Sequence, residues 1–363
     1  MKLNPLTING KKVTFPIIQG GMGIRISLSK LANACMSSGI VATISAAQVG
    51  FLKKGFKKNP FEINKEAIIE EVSAIRAENP DGVLGVNLMH AVNDYDKYAR
   101  FLATQDIDFI VSGAGLPLDL PEYIKDTNVK GAFIISSARA CRLLLKSWDR
   151  RYQFMPEFIV CEGPLAGGHL GFSKEDFEQG NVPTLEQIVK DTIKVVKVYE
   201  EKYGIHIPII AAGGVHDGHD MAKMLSVGAD GVQIATRFIA THECDASDEY
   251  KQMIIDSKEE DIVRVESPAG LPGRAVRNHL TKVLETSRIK VKYCVDCLKS
   301  CKKVGIPYCI TEQLGNSSAG DKNGLIFTGA KAYLIDKLDS VENVIKEIIN
   351  ECKNDLQLVG GLQ

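Results

Sequence analysis

This sequence is short of the features that would settle its class at a glance. It contains no run of about 18 apolar residues, the length that a membrane-spanning helix needs. Its opening, "MKLNPLTING", has no apolar core of the signal-peptide kind. Charge imbalance is almost absent. The 44 Lys and Arg against 45 Asp and Glu leave a formal net charge of −1, so overall charge draws the chain neither to nucleic acid nor to an anionic membrane. No Gly-x-Gly-x-x-Gly follows the first apolar run, which weighs against a doubly wound dinucleotide-binding sheet. The one tryptophan, Trp148 in "KSWDRRYQF", reads as packing rather than as a stacking platform. The expectation is a soluble, cytoplasmic chain that binds no nucleic acid and no membrane and acts on a small-molecule substrate.

What the chain has in quantity is short apolar runs. They are "FPIIQ" (15–19), "IVATISA" (40–46), "VLGVNLM" (83–89), "DFIVSGA" (108–114), "AFIISS" (132–137), "EFIVCEG" (157–163), "IPIIAAGG" (207–214) and "DGVQIATRF" (230–238). Each is rich in Ile and Val and continuous in its hydrophobicity, as strands buried on both faces are. Helical stretches lie between them. "SLSKLANACMSSG" opens on serine and closes on glycine, "NKEAIIEEVSAIRAE" has helical spacing, "TLEQIVKDTIKVVKVYEEKYG" is strongly amphipathic, and "GHDMAKMLSVG" fills the last gap. Strand and helix alternating eight times predict an α/β fold, a (β/α)8 TIM barrel over residues 1–240. Residues 241–324 read as a smaller covering domain with a Cys-rich loop. Residues 325–363 end in a helix, "SVENVIKEIINECKN", expected to return to the barrel.

Barrels of this kind build their sites at the carboxyl ends of the strands. Four of those ends carry small residues here: "QGGMG" (19–23), "EGPLAGGH" (162–169), "AAGG" (211–214) and "QIAT" (233–236). Glycine lets a ligand approach the main chain, and successive free amides can form an anion nest. "AAGGVHDGHDMAK" runs from such a turn into a helix, a setting that suits phosphate. Glycine also simply ends strands, but four such loops on one barrel face point to a phosphate-bearing cofactor. In "CEGPLAGGHLGF" the paired Gly167 and Gly168 are followed directly by His169, whose imidazole can serve as a base or a hydrogen-bonding group near pH 7.

"PIIQGGMG", "EGPLAGGHLGF", "IPIIAAGGVHDG" and "GVQIATRF" resemble the motifs of the nitronate monooxygenase family, formerly the 2-nitropropane dioxygenases. The flavin-dependent enoyl-acyl-carrier-protein reductases share that fold and those motifs. The resemblance runs along nearly the whole barrel and into "GRAVRN" (273–278), and it implies an FMN-binding barrel. On that resemblance Gly20, Gly21 and Met22 lie along the flavin ring, and Asn87 hydrogen-bonds it. Gly167 and Gly168 admit the ring or ribityl chain, with Glu162 and Ala166 in the same loop. Gly213, Gly214, Gln233, Ala235 and Thr236 hold the phosphate, Ala235 standing where the family usually has Gly. His169 faces the flavin, as a base on an acidic carbon or as a holder of a substrate oxygen.

Two regions raise the question of a bound metal. "YCVDCLKSCKKVGIPYC" spaces Cys294, Cys297, Cys301 and Cys309 as C-x2-C-x3-C-x7-C. Four thiolates so close in sequence could hold an iron–sulfur cluster or a zinc ion, or could be reduced thiols packed under the covering domain. His216 and His219, in "VHDGHD", would need a third ligand to bind metal, and Asp217 or Asp220 reads instead as a helix cap. Three functions fit the sequence: an FMN enzyme oxidising alkyl nitronates with O2; an NAD(P)H-dependent flavin reductase of an enoyl thioester or quinone, with "RAVRN" meeting a phosphate; and a flavin module passing electrons to a protein partner through the cysteine loop. A homodimer is left open.

Overall fold

The computed structural model describes residues 3–301 and 305–360. A short antiparallel hairpin, β1 (Leu6–Ile8) and β2 (Lys11–Val13), precedes the barrel. The eight apolar runs then form β3 (Ile17–Gln19), β4 (Ala42–Ser45), β5 (Leu84–Asn87), β6 (Phe109–Ser112), β7 (Lys130–Ile135), β8 (Ile159–Glu162), β10 (Ile209–Ala212) and β11 (Gly231–Ile234). Between β8 and β10 lies a two-residue strand, β9 (Gly168–His169), which belongs to a different sheet. The eight barrel strands are parallel, in the order β3-β11-β10-β8-β7-β6-β5-β4. The ends of that order meet through a parallel bridge between Ile18 and Val41, so the sheet closes on itself. This is the (β/α)8 barrel that the sequence predicts.

Alternating residues of each strand explain why the runs are apolar throughout. Ile18, Phe109, Val111, Val160 and Ile210 fill the barrel interior together with Leu6, Ile8 and Val13 of the hairpin. Their neighbours Ile17, Ile44, Val86, Ile110, Ile159 and Ile234 join the core formed with the surrounding helices. Both faces are buried, so neither tolerates a polar period.

The helices are α1 (Ser29–Ser37), α2 (Pro60–Glu78), α3 (Tyr95–Leu102), α4 (Leu120–Ile124), α5 (Ala138–Tyr152), α6 (Lys174–Glu178), α7 (Leu185–Tyr203), α8 (Gly218–Val227), α9 (Asp248–Ile255), α10 (His279–Leu284), α11 (Ile310–Ser318) and α12 (Val341–Gly360). The strongest signal, "TLEQIVKDTIKVVKVYEEKYG", becomes α7. Thr184 accepts the Gln187 amide at its start, and Gly204 ends it with φ +65°. Helix α1 departs from the expectation of a serine start. Its first amides are capped from far along the chain by Asp245, whose carboxylate accepts from Leu28 at 2.7 Å and from Leu31 at 3.3 Å.

Beyond the barrel, "THECDASDEYKQMIIDSKEED" yields only the eight-residue α9, started by the Ser247 side chain. Next come β12 (Ile262–Val265) and β13 (Gly273–Val276), an antiparallel pair that β9 extends to three strands. Gly168 pairs with Arg274 and His169 with Gly273. The final helix α12 packs along α8. No helix among the described residues is long and apolar enough to cross a membrane.

Candidate active site

A cavity of about 450 Å³ opens where the barrel strands end, within the range of small-molecule and cofactor sites. Every barrel strand contributes to it. Gly20, Gly21 and Met22 follow β3, Asn87 ends β5, and Glu162 ends β8. Ala166, Gly167, Gly168 and His169 form one wall; Gly213 and Gly214 lie beyond β10, and Gln233, Ala235 and Thr236 are at the end of β11. The structure thus places all of the cofactor-facing residues expected from sequence, with His169, around one space.

The double glycine has a physical reason that the sequence does not reveal. A Cβ on Gly167 would stand 2.6 Å from the carbonyl carbon of Thr328 and 2.7 Å from the Gly329 nitrogen. Glycine here lets the C-terminal segment lie directly against the loop. Gly168 adopts φ +66°, the left-handed region that glycine enters without strain. These two conformations deliver His169 to β9, where the edge of β13 fixes its backbone. Gly213, at φ +78°, likewise packs against the loop after β8: a Cβ would lie 2.7 Å from the Gly163 oxygen.

The His169 ring presents Nε2 to Ser267 Oγ at 2.8 Å and lies edge-on to Phe327 with centroids 5.3 Å apart. Surrounding protein lowers its pKa from the usual imidazole value to about 4, because burial penalises the cation. Burial acts on Glu162 in the opposite sense, raising its carboxyl to about 7 against the pull of Arg274. The cavity therefore holds a neutral imidazole and a carboxyl poised between its two forms.

Arg274 is placed otherwise than the sequence suggested. Its guanidinium donates to the main-chain oxygens of Ala166 and Pro164, the latter at 3.0 Å. Arg274 thus clamps the loop before the double glycine rather than reaching for a nucleotide phosphate. Arg277, the other arginine of "RAVRN", pairs with Glu285 at 3.3 Å. The start of α8 is also committed. Asp217 accepts the Asp220 amide at 2.8 Å, and Glu351 of α12 accepts the Gly218 amide at 2.8 Å. A phosphate would meet the turn at Gly213 and Gly214, not the first turn of this helix.

Several cavity residues escaped the sequence reading. Phe327, Thr328 and Gly329 come from the C-terminal segment, and Tyr250, Ile310 and Leu314 from the region over the barrel mouth. Thr236 Oγ1 accepts the Gly329 amide at 2.9 Å, tying that segment to the β11 end. Thr328 Oγ1 is buried with no hydrogen-bond partner among the described residues. An orphan hydroxyl in a cavity lined by glycine turns fits a polar ligand group. The only sequence hint was the glycine-rich run "GNSSAGDKNGLIFTGA", which carries no spacing that ties it to the barrel.

The cysteine loop does not assemble as expected. Cys294 is exposed, Cys297 and Cys301 are half-buried, Cys309 is buried, and none of them forms a disulfide. Among the described residues no group of three or more His, Cys, Asp or Glu is placed to hold a metal ion. The metal expectation for Cys294, Cys297, Cys301 and Cys309 therefore finds no support among the described residues. The reason lies in the backbone. Asn93 donates to the loop's carbonyls, its main-chain amide to Cys297 O at 3.1 Å and its side chain to Asp296 O at 2.6 Å. Lys299 N donates to Ala91 O at 2.9 Å, while Cys309 is fixed separately as the residue before α11. His219 pairs with Asp355 at 2.7 Å instead of binding metal. Trp148 is fully buried and donates to Pro117 O at 2.9 Å, a packing role.

A family model described as nitronate monooxygenase matches residues 4–351. A probable nitronate monooxygenase from Bacillus subtilis strain 168 is 25% identical over 287 residues, 73% of this chain and 77% of that protein. One from Staphylococcus saprophyticus is 34% identical over 122 residues, a stretch spanning 34% of this chain and 32% of that relative. Among solved structures, FabK from Thermotoga maritima superposes with a TM-score of 0.74 at 23% identity, covering 97% of this chain and 96% of FabK. Nitroalkane oxidase from Streptomyces ansochromogenes superposes with a TM-score of 0.71 at 17% identity, covering 96% and 98%. At such identities the two structures speak for the fold alone.

Proposed function

The chain belongs to the nitronate monooxygenase family, which makes it an oxidoreductase, and from that premise we propose that it is an FMN-dependent enzyme that oxidises alkyl nitronates with O2. The observation that carries this reading is a single cavity where glycine turns, an orphan threonine hydroxyl and a neutral histidine meet at the barrel mouth. FMN, when bound, supplies redox chemistry that no side chain around this cavity possesses.

The chain's own work is binding, orientation and exclusion of water. Gly20, Gly21 and Met22 would lie along the flat ring, with Asn87 and Glu162 offering polar groups at the ends of β5 and β8. Gly213, Gly214, Gln233, Ala235 and Thr236 would hold the phosphate, with Thr328 Oγ1 as a further partner. Tyr250, Ile310, Leu314 and Phe327 add largely apolar surface to the same cavity, which would help keep water from a reacting carbon. His169 would meet the nitro group of the substrate.

The test is spectroscopic. Purified protein supplied with FMN should retain a flavin spectrum after gel filtration. Anaerobic addition of propane-2-nitronate should bleach it, and NADH or NADPH should not. A protein that takes up no FMN would overturn the proposal. Fast bleaching by a nicotinamide and none by the nitronate would replace it with the reductase reading.

A further inference from the structure

Charge is spread unevenly along this chain, although its total is close to zero. Residues 46–61 hold Lys53, Lys54, Lys57 and Lys58 and no acidic residue. Residues 286–301 hold Arg288, Lys290, Lys292 and Lys299 against Asp296 alone. The rest of the chain carries 36 basic against 44 acidic residues. The two segments thus hold a net +7 in a protein of net −1.

The fold brings them together beside the cavity. Lys57 Nζ stands 4.1 Å from the centre of the Tyr293 ring. Gln48, near the head of the first segment, lines the cavity, as do Cys297 and Leu298 of the second. Lys299 Nζ donates to His90 O at 2.9 Å, next to the cavity residue Met89. The neighbouring carboxylates leave most of this charge uncovered. Glu70 takes Lys53, Glu62 pairs with Lys65 on its own helix, and Glu312 lies near Tyr293. Lys54, Lys58, Lys290 and Lys292 are exposed and form no ion pair among the described residues. A surface of one sign beside a low-dielectric cleft focuses the field there and concentrates ions of the opposite sign.

We propose that the two segments form an anion-collecting collar that draws small organic anions to the cavity mouth, with Lys54, Lys58, Lys290 and Lys292 as its working charges. None of the four lines the cavity. The collar therefore acts on approach and capture, and a saturated enzyme does not feel it. That the collected anion is a nitronate rests on the reading above; the field of the collar does not.

Changing Lys54, Lys58, Lys290 and Lys292 together to Glu takes the two segments from +7 to −1. At low ionic strength this variant, saturated with FMN, should lose about tenfold in kcat/KM for propane-2-nitronate, with kcat within about twofold of wild type. In 1 M salt, where the screening length is about 3 Å, the loss should shrink below about twofold. The same four-charge change on α7, at Lys190, Lys194, Lys197 and Lys202, measures net charge alone and should alter kcat/KM by less than about twofold.

A second readout needs neither flavin nor substrate. Cys294 is exposed and lies two residues from Lys292. At one pH, anionic iodoacetate and neutral iodoacetamide draw on the same thiolate, so the ratio of their alkylation rates reports the local potential. The ratio should fall about fivefold in the collar variant at low salt, and in wild type it should fall as salt is added. An unchanged ratio, or a loss in kcat/KM no larger than that of the α7 variant, overturns the collar. Polyglutamate binding that needs the four lysines while nitronate turnover does not would also overturn it, by making this face a dock for acidic proteins. Protein that consumes no nitronate fails the earlier reading while the alkylation ratio still decides this one. The salt dependence of the wild-type ratio decides it even if the collar variant does not fold.

Discussion

At the barrel mouth, residues from all eight strands and from the C-terminal segment are drawn around one cavity. A short distance along the same wall lies the loop of Cys294, Cys297, Cys301 and Cys309, of which only Cys297 lines the cavity. The cysteines are far closer to one another in sequence, yet among the described residues they do not gather into a ligand set. The mouth residues are placed by a parallel ladder that fixes where each strand ends, so their spacing translates directly into geometry. The cysteine loop has no ladder. Its backbone answers to the turn at residues 91–93, and its spacing translates into nothing until that backbone agrees.

Gly167→Ala should break the mouth most severely. The new methyl would meet the Thr328–Gly329 backbone at under 3 Å, and neither partner is a side chain that can swing away. Overpacking of this kind costs about 1–3 kcal/mol. Displacing the segment would also move Thr328 and strain the bond from Gly329 to Thr236. FMN affinity should fall at least tenfold, read by titration, together with a lower melting temperature. Gly180→Ala is the control: its φ of +68° adds a left-handed strain that Gly167 does not have, but nothing lies within 4 Å of the new methyl, so FMN affinity should stand. Equal FMN binding by Gly167→Ala would show that the segment does not shape the site.

That example also marks how far the sequence could be read. The eight Ile- and Val-rich runs became the eight barrel strands because burial on both faces leaves a continuous apolar trace. The strand-end residues were legible for the same reason. Phe327, Thr328 and Ser267 were not, because they reach the site through tertiary packing of segments whose local patterns name no partner. Asp245 capping α1 from more than 200 residues away is the same case: a helix start that serine seemed to supply is satisfied by a carboxylate no local window contains.

A pH profile sharpens the mouth side of the comparison with a smaller effect, a few-fold in kcat/KM. Glu162 is raised to about 7 by burial, so it holds its proton below that pH and is ionised above it. His169 is lowered to about 4, so it stays neutral throughout the same interval. A bend near pH 7 would therefore belong to Glu162, and Glu162→Gln should flatten it. A bend that survives in Glu162→Gln and disappears only in His169→Gln would reverse the assignment.

The smallest effects should come from the cysteine loop, and their smallness is the point. Cys294 is exposed, so Cys294→Ser should change stability by no more than about 0.5 kcal/mol and leave FMN affinity alone. Cys297 differs because burial, reinforced by the neighbouring cysteines, pushes its thiol up to about 11. At neutral pH it is a protonated thiol, a poor nucleophile and a poor ligand. Iodoacetamide should accordingly label Cys294 well before Cys297 in the folded protein, as mass spectrometry of the digested chain can record. Iron and zinc in the purified protein should stay far below one per chain. If instead a stoichiometric metal is found and Cys294→Ser removes it, the loop's bonds to Ala91 and Asn93 must yield to thiolate ligation. Cysteine spacing would then have dictated geometry without a ladder, and the contrast between the two regions would collapse.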